Sequence, residues 1–141
     1  MIKFLSSALL IALQLIVIVP NALSQPYTLT GSIQVWRLIS TTESILREGG
    51  SCFTEKSFSD IREGQTVSVR DANDTIVAIG YIGVGQARKD RLWNCAFNFT
   101  VPNIPESPFY TVAIATRKPI VVSLEELKKD NWILKLAIGL N

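Results

Sequence analysis

The sequence predicts an all-β domain, an antiparallel β-sandwich of about seven strands with one short helix and one disulfide. Three observations carry this prediction. Short runs of alternating apolar and polar residues recur between turn-forming residues. Two cysteines, Cys52 and Cys95, stand in a chain that opens like an exported one. A capping box, Ser123-Leu124-Glu125-Glu126, marks where a short helix starts.

The opening comes first. Met1-Ile2-Lys3 carries one positive charge, Phe4 to Val19 is almost wholly apolar, and Pro20 ends the run. Ala22 and Ser24 place small residues where a signal peptidase inspects the chain. Residues 1–24 are therefore expected to be a signal peptide, and residues 25–141 a single domain beginning at Gln25. The apolar run is 16 residues long, short of the roughly 17–25 that a spanning helix needs. A membrane tether is expected only if this segment stays uncleaved.

The strands follow in order. Tyr27–Leu38 alternates, with Leu29, Gly31, Ile33 and Val35 on one face and Trp36 in the outward phase. Thr66–Asp71 turns Val67 and Val69 inward. Thr75–Ile82 is apolar on both faces, as a central strand covered on both sides would be. Asn94–Val101 sets Cys95, Phe97, Phe99 and Val101 inward and Asn98 outward. Phe109–Thr116, Ile120–Ser123 and Trp132–Ile138 complete the seven. The long link Ile39–Gln65 is expected to hold one helical turn within Ser57–Gly64, stopped by the glycine. Ser123 should open a helix through Lys129, with Leu124 and Leu127 inward and Asp130-Asn131 turning the chain into the last strand.

Cys52 and Cys95 are expected to pair, because an exported chain meets an oxidising compartment. Cys95 lies in phase with Phe97 and Phe99, which puts the disulfide in the core. The chain contains no histidine. Two thiolates thus lack the further ligands a zinc site needs, and a histidine-based catalytic triad has no base. The formal charge is +2, or +1 once Lys3 is removed, which gives no electrostatic case for nucleic acid or an anionic membrane surface.

Asp60-Ile61-Arg62-x-Gly64, Val67-x-Val69-x-Asp71, Cys95-x-Phe97-x-Phe99-x-Val101, Phe109-Tyr110, Ser123-x-x-Glu126-Leu127 and Trp132 together form a pattern along the chain. It resembles a set of uncharacterised secreted bacterial β-sandwich domains over most of residues 50–139. The resemblance implies an extracytoplasmic β domain and assigns no catalytic or ligand residue. The unit Thr66–Gly80 also looks loosely transthyretin-like or immunoglobulin-like, with Asn73-Asp74 where a glycine is common and Asn73 able to take a positive φ.

Several side chains are candidates for chemistry. Asp60, Glu63, Asp71 and Asp74, with Asn73, offer the hard oxygens of a calcium site. Two of these acids could instead serve glycoside hydrolysis, although no spacing selects a pair. The plainer reading makes Asp71–Asp74 a hairpin turn and Asp60 and Glu63 helix-capping, solubilising residues. Arg88, Lys89 and Arg91 crowd the Gly83–Leu92 loop, a basic contact for an acidic partner or polysaccharide, or a solvated loop part-neutralised by Asp90. Gly83 and Gly85 are followed by no Lys-Ser/Thr pair, so they make no phosphate loop. Asn73-Asp74-Thr75 and Asn98-Phe99-Thr100 match the N-glycosylation acceptor. Trp36 is the aromatic placed for carbohydrate stacking; most of the others are expected in the core.

The expectation is a monomeric, non-enzymatic extracytoplasmic module for binding or structure, without cofactor. Its partner would be a protein surface or a cell-envelope glycan. One alternative is a small calcium-dependent domain or hydrolase using the Asp60–Asp74 carboxylates. Another is a secreted inhibitor acting through the Gly83–Leu92 loop.

Overall fold

Alternation along the chain becomes a sheet in the computed structural model, which describes residues 25–140. The expected signal peptide, residues 1–24, lies outside the described residues. The strands are β1 (Tyr27–Val35), β2 (Ile39–Ser40), β3 (Phe53–Thr54), β4 (Thr66–Arg70), β5 (Ile76–Ile82), β6 (Gln86–Lys89), β7 (Trp93–Ile104), β8 (Phe109–Ile114), β9 (Ile120–Ser123) and β10 (Ile133–Ile138). One helix, α1 (Leu124–Lys129), joins β9 to β10. All seven expected strands form, and β2, β3 and β6 are additional.

The strands make one main sheet in the order β10-β1-β7-β5-β4-β8-β9, with β6 also on β7, while β2 and β3 form a separate pair. The expected antiparallel sandwich does not form: the sheet is mixed and curls into a half-barrel. β10 runs parallel to β1, from Thr30↔Ile133 to Val35↔Ile138. The cause is the α1 crossover, which carries the chain from one edge of the sheet to the other. Alternation says which residues point inward, not whether the opposing wall is a second sheet or the same sheet curled round.

β7 is the axis of this arrangement. Along one edge it pairs with β1. Along the other it pairs with β5 through Tyr81↔Thr100 and Ile82↔Phe99, then with β6 through Gln86↔Ala96 to Lys89↔Trp93. Gly80 lets β5 lie close to β7, since a Cβ there would run into the Thr100 carbonyl oxygen. Leu29, Ile33, Val35, Val67, Val69, Phe97, Phe99, Val101, Tyr110 and Val112 are all buried on the inner face. The core therefore follows the inward phases of the sequence.

The outer face of β5 differs from expectation. Ile76, Ile79 and Tyr81 are 46%, 48% and 62% exposed. β5 is central, but a single curled sheet has no second layer to cover its outside. A register shift against β4, between Val69↔Ala78 and Arg70↔Ile76, further breaks the alternation at Val77.

Cys52 and Cys95 are bonded, with their Cα atoms 5.9 Å apart and a sequence separation of 43. The bridge ties the long link to the middle of the sheet. A loop of that length corresponds to about 4 kcal/mol in the chain-entropy picture. Gly85 lies against the bridge: a Cβ there would meet the Cys52 carbonyl oxygen, Cys95 Sγ and the Phe97 ring. In the same link the helical turn is a 3-10 turn at Lys56–Phe58, earlier than expected, and Gly64 takes a φ of 84°. Ile61 is buried beneath it, and Thr54 Oγ1 donates to the Ile61 carbonyl at 2.7 Å.

The helix forms as the capping box requires. Glu126 N donates to Ser123 Oγ at 3.1 Å, and Ser123 N donates to Glu126 Oε2 at 2.8 Å. Leu127 is buried and Leu124 partly so. Asn131 and Trp132 then take φ values of 53° and 59°, turning the chain into β10. Trp132 stacks on Tyr27 with ring centres 4.3 Å apart, and Tyr110 meets it edge-on at 5.7 Å. Among the described residues, no helix is long and apolar enough to cross a membrane.

Candidate functional site

A curled sheet offers two places for a ligand: its outer face, and the seam where its two edges approach. The outer face carries a polar groove of about 320 Å³ lined by Ser32 and Gln34 from β1, Gln86 and Arg88 from β6, Ala96 and Asn98 from β7, Lys135 from β10, and Asp90. These positions gather because β10, β1, β7 and β6 are consecutive neighbours and each contributes its outward phase. Register makes the rows explicit. Gln34 opposes Ala96, which opposes Gln86 on its other side, and Ser32 opposes Asn98. Ser32 also opposes Lys135.

Most of these groups have no internal partner. Among the described residues, the side chains of Ser32, Gln34, Asn98 and Lys135 make no hydrogen bond to the protein. Arg88 is held at one side, donating from Nη2 to Gln86 Oε1 at 3.1 Å and pairing with Glu48 at 3.6 Å. Asp90 Oδ2 accepts from Asn94 Nδ2 at 3.2 Å. Amide, hydroxyl and charged groups thus face solvent together in a concave surface.

Trp36 and Asn94 adjoin the groove. Val35 pairs with Cys95, so continuing the register sets Trp36 beside Asn94 on the outer face. Trp36 is half-buried and does not line the groove. Its indole N–H and Asn94 Oδ1 are both buried without a partner among the described residues. Trp36 is therefore a packed flank of the groove and not an open stacking platform.

The basic trio is distributed around β6. Segment Gly83–Leu92, expected as a loop, is strand β6 followed by a tight turn in which Asp90 N donates to the Leu92 carbonyl at 3.2 Å. The outer edge of β6 is covered: Gly49 N donates to the Ala87 carbonyl and Ala87 N to the Gly50 carbonyl, each at 2.7 Å. Lys89 N donates to Glu48 Oε2 at 2.6 Å, and Lys89 Nζ sits 5.6 Å from the Trp93 ring centre. Arg91 is exposed at the turn. Only Arg88 of the three lines the groove.

The acidic candidates are not brought together. Asp60 is engaged by Arg117, whose Nε and Nη2 donate to its two carboxylate oxygens at 2.9 and 2.6 Å. Thr116 Oγ1 adds a third bond to Asp60 at 3.2 Å. Arg117 Nη2 also donates to the Ser57 carbonyl at 2.8 Å, and the guanidinium lies 5.2 Å from the Phe58 ring. Asp71 organises the β4–β5 turn: its Oδ1 accepts from Asn73 N at 2.9 Å and Thr75 N at 3.1 Å. The positive φ falls on Asp74, at 60°, and not on Asn73. Arg70 Nη1 donates to the Asp74 carbonyl at 2.9 Å. Glu63 is exposed ahead of β4, and Asn73 is exposed on the turn. Among the described residues, no three Asp, Glu, Cys or His side chains are gathered for a metal, and no carboxylate is buried.

The sequence alone does not single out Ser32, Gln34, Gln86 or Lys135, and it marks Asn98 as an outward residue in a glycosylation acceptor. Their signal was the polar outward phase of four strands. It becomes a site only when the strand order is known. No family model, curated protein or solved structure matches the chain.

Proposed function

We propose that the protein is an exported, non-enzymatic binding domain that takes a cell-envelope glycan in the groove across β10, β1, β7 and β6. The observation that carries this reading is the set of outward side chains without partners among the described residues: Ser32, Gln34, Asn98 and Lys135. Glycan hydroxyls both donate and accept, and amides answer both roles. Polar groups converging on a concave surface fix orientation and select the ligand. Arg88 and Lys135 outnumber Asp90 in the lining, which favours a glycan carrying some acidic groups. Export is supported by the signal-like residues 1–24, the Cys52–Cys95 bridge and the resemblance to secreted bacterial domains.

Calorimetric titration of the protein with solubilised envelope polysaccharide tests the reading. The wild type should bind saturably. The double variant Gln34→Ala/Asn98→Ala should bind about tenfold more weakly, the effect of losing two ordinary hydrogen bonds. Both changes lie on the exposed side of the sheet and should leave the melting temperature in place. Chelation of calcium should leave the affinity unchanged. Equal affinity in the variant would remove the groove from consideration, and loss of binding on chelation would return the Asp60–Asp74 carboxylates to it.

A further inference from the structure

The seam of the half-barrel holds a second concavity, on a different face and made of different residues. β9 and β10 are the two ends of the strand order and do not pair with each other. At the α1 end the seam is filled by buried Leu127 and by Trp132 packed against Tyr27 and Tyr110. At the other end a cleft of about 270 Å³ remains. Its walls are apolar, with Ile114 from β8, Ile120 from β9, and Leu136 and Ile138 from β10. Among the described residues, the polar side chains lining it are Arg117, paired with Asp60, and Lys118, both from the turn between β8 and β9.

The two cations are presented differently. Asp60 and the Ser57 carbonyl occupy Nε and Nη2 of Arg117. That fixes the guanidinium and leaves both N–H groups of Nη1 without a partner among the described residues. Lys118 is exposed and makes no ion pair among the described residues. The cleft therefore joins a hydrocarbon-lined interior to one cation unpaired among the described residues, Lys118, and to the free Nη1 donors of Arg117, whose charge Asp60 already balances. A polar or cationic ligand would leave the walls unmatched or face repulsion. A strand added to the free edge of β10 would answer its backbone groups but not the cationic donors of Arg117 and Lys118.

We propose that this cleft binds a free single-chain amphiphile with an anionic carboxylate head, its apolar tail between β8, β9 and β10 and its head at Arg117 Nη1 and Lys118 Nζ. Asp60 acts here as a positioning residue for Arg117.

The test is titration of the disulfide-intact protein with monomeric decanoate, below its micelle concentration. It is followed by calorimetry and by methyl NMR of Ile120 and Leu136. Decanoate should saturate one site and shift those methyl groups. Decanol should bind more weakly, and decyltrimethylammonium should not compete. Lys118→Glu, an exposed change that leaves the core alone, should weaken decanoate roughly five- to tenfold, as loss and reversal of a partly solvated charge contact would. Ile138→Trp, which fills the cleft, should abolish saturation. If that variant fails to fold, Lys118→Glu decides alone. Indifference to head-group charge would overturn the proposal, as would decanoate affinity unchanged by Lys118→Glu. An end-blocked, uncharged apolar peptide that displaced decanoate and shifted β10 amides along its length would overturn it in favour of strand addition.

Discussion

Tyr110 closes the α1 end of the half-barrel with a single hydroxyl. Its Oη donates to the Pro105 carbonyl at 2.8 Å and accepts from Ser107 N at 2.9 Å, while the ring is fully buried. Burial pushes its pKa upward; the Ser107 N–H bond opposes this, and Tyr27 and Glu106 add smaller upward effects. A raised folded-state pKa means that the native state keeps the proton longer than the unfolded chain does. The corresponding stability is whole below the ordinary tyrosine value of about 10 and is lost as pH rises past it. Tyr110→Phe should cost about 1–2 kcal/mol at neutral pH, because the ring is kept and two bonds go. It should also lessen the alkaline fall of the melting temperature, which thermal melts across the alkaline range would read. Sequence placed most aromatics in the core, and Tyr110 is there. It did not reveal the Pro105 and Ser107 partners, which exist only once the turn before β8 is folded. Arg117 was hidden for a related reason: its partner Asp60 lies 57 residues away.

At the level of elements, local chemistry was legible and long-range pairing was not. The capping box at Ser123 needs only four consecutive residues, and the helix forms where it says. Ser123→Ala should cost about 1 kcal/mol, as caps of this kind do. The backbone N–H of Ser123, and then its hydroxyl, hold the Glu126 pKa below its ordinary value. That contribution is present above the unfolded carboxylate pKa and is lost as pH falls through the folded one. The Ser123 amide resonance, followed by NMR during acidification, should move with the Glu126 carboxylate, and Glu126→Gln should remove that movement. β6 shows the opposite case. Gln86–Lys89 holds one small apolar residue, Ala87, among polar ones, and glycines precede it. Its strand character comes from β7 on one side and residues 49–51 on the other. β5 misled in another way: apolar residues on both faces suggested two covering layers, yet Ile79 and Tyr81 stand on a bare outer face.

For the whole molecule, the decisive property is the strand order. The inward phases of β1, β4 and β7 could be read from alternation, and so could the disulfide's place beside Phe97 and Phe99. The parallel arrival of β10 beside β1 could not, because it depends on where α1 delivers the chain. That single placement turns a supposed sandwich into an open half-barrel. It also puts Lys135 beside Ser32 in the polar groove, and Leu136 and Ile138 on the wall of the apolar cleft. Of Trp36, Arg88, Lys89 and Arg91, the contact residues that the sequence suggests for a binding module, Arg88 alone lines the groove. The most direct test of the central proposal is NMR mapping on the isotopically labelled, disulfide-intact protein titrated with soluble envelope polysaccharide. The groove reading predicts saturable shifts at Ser32, Gln34, Gln86, Asn98 and Lys135, with Ile120 in the seam and Asn73 on the β4–β5 turn unmoved. Shifts confined to the seam or to the Asp71–Asp74 turn, with the five groove residues silent, would contradict it.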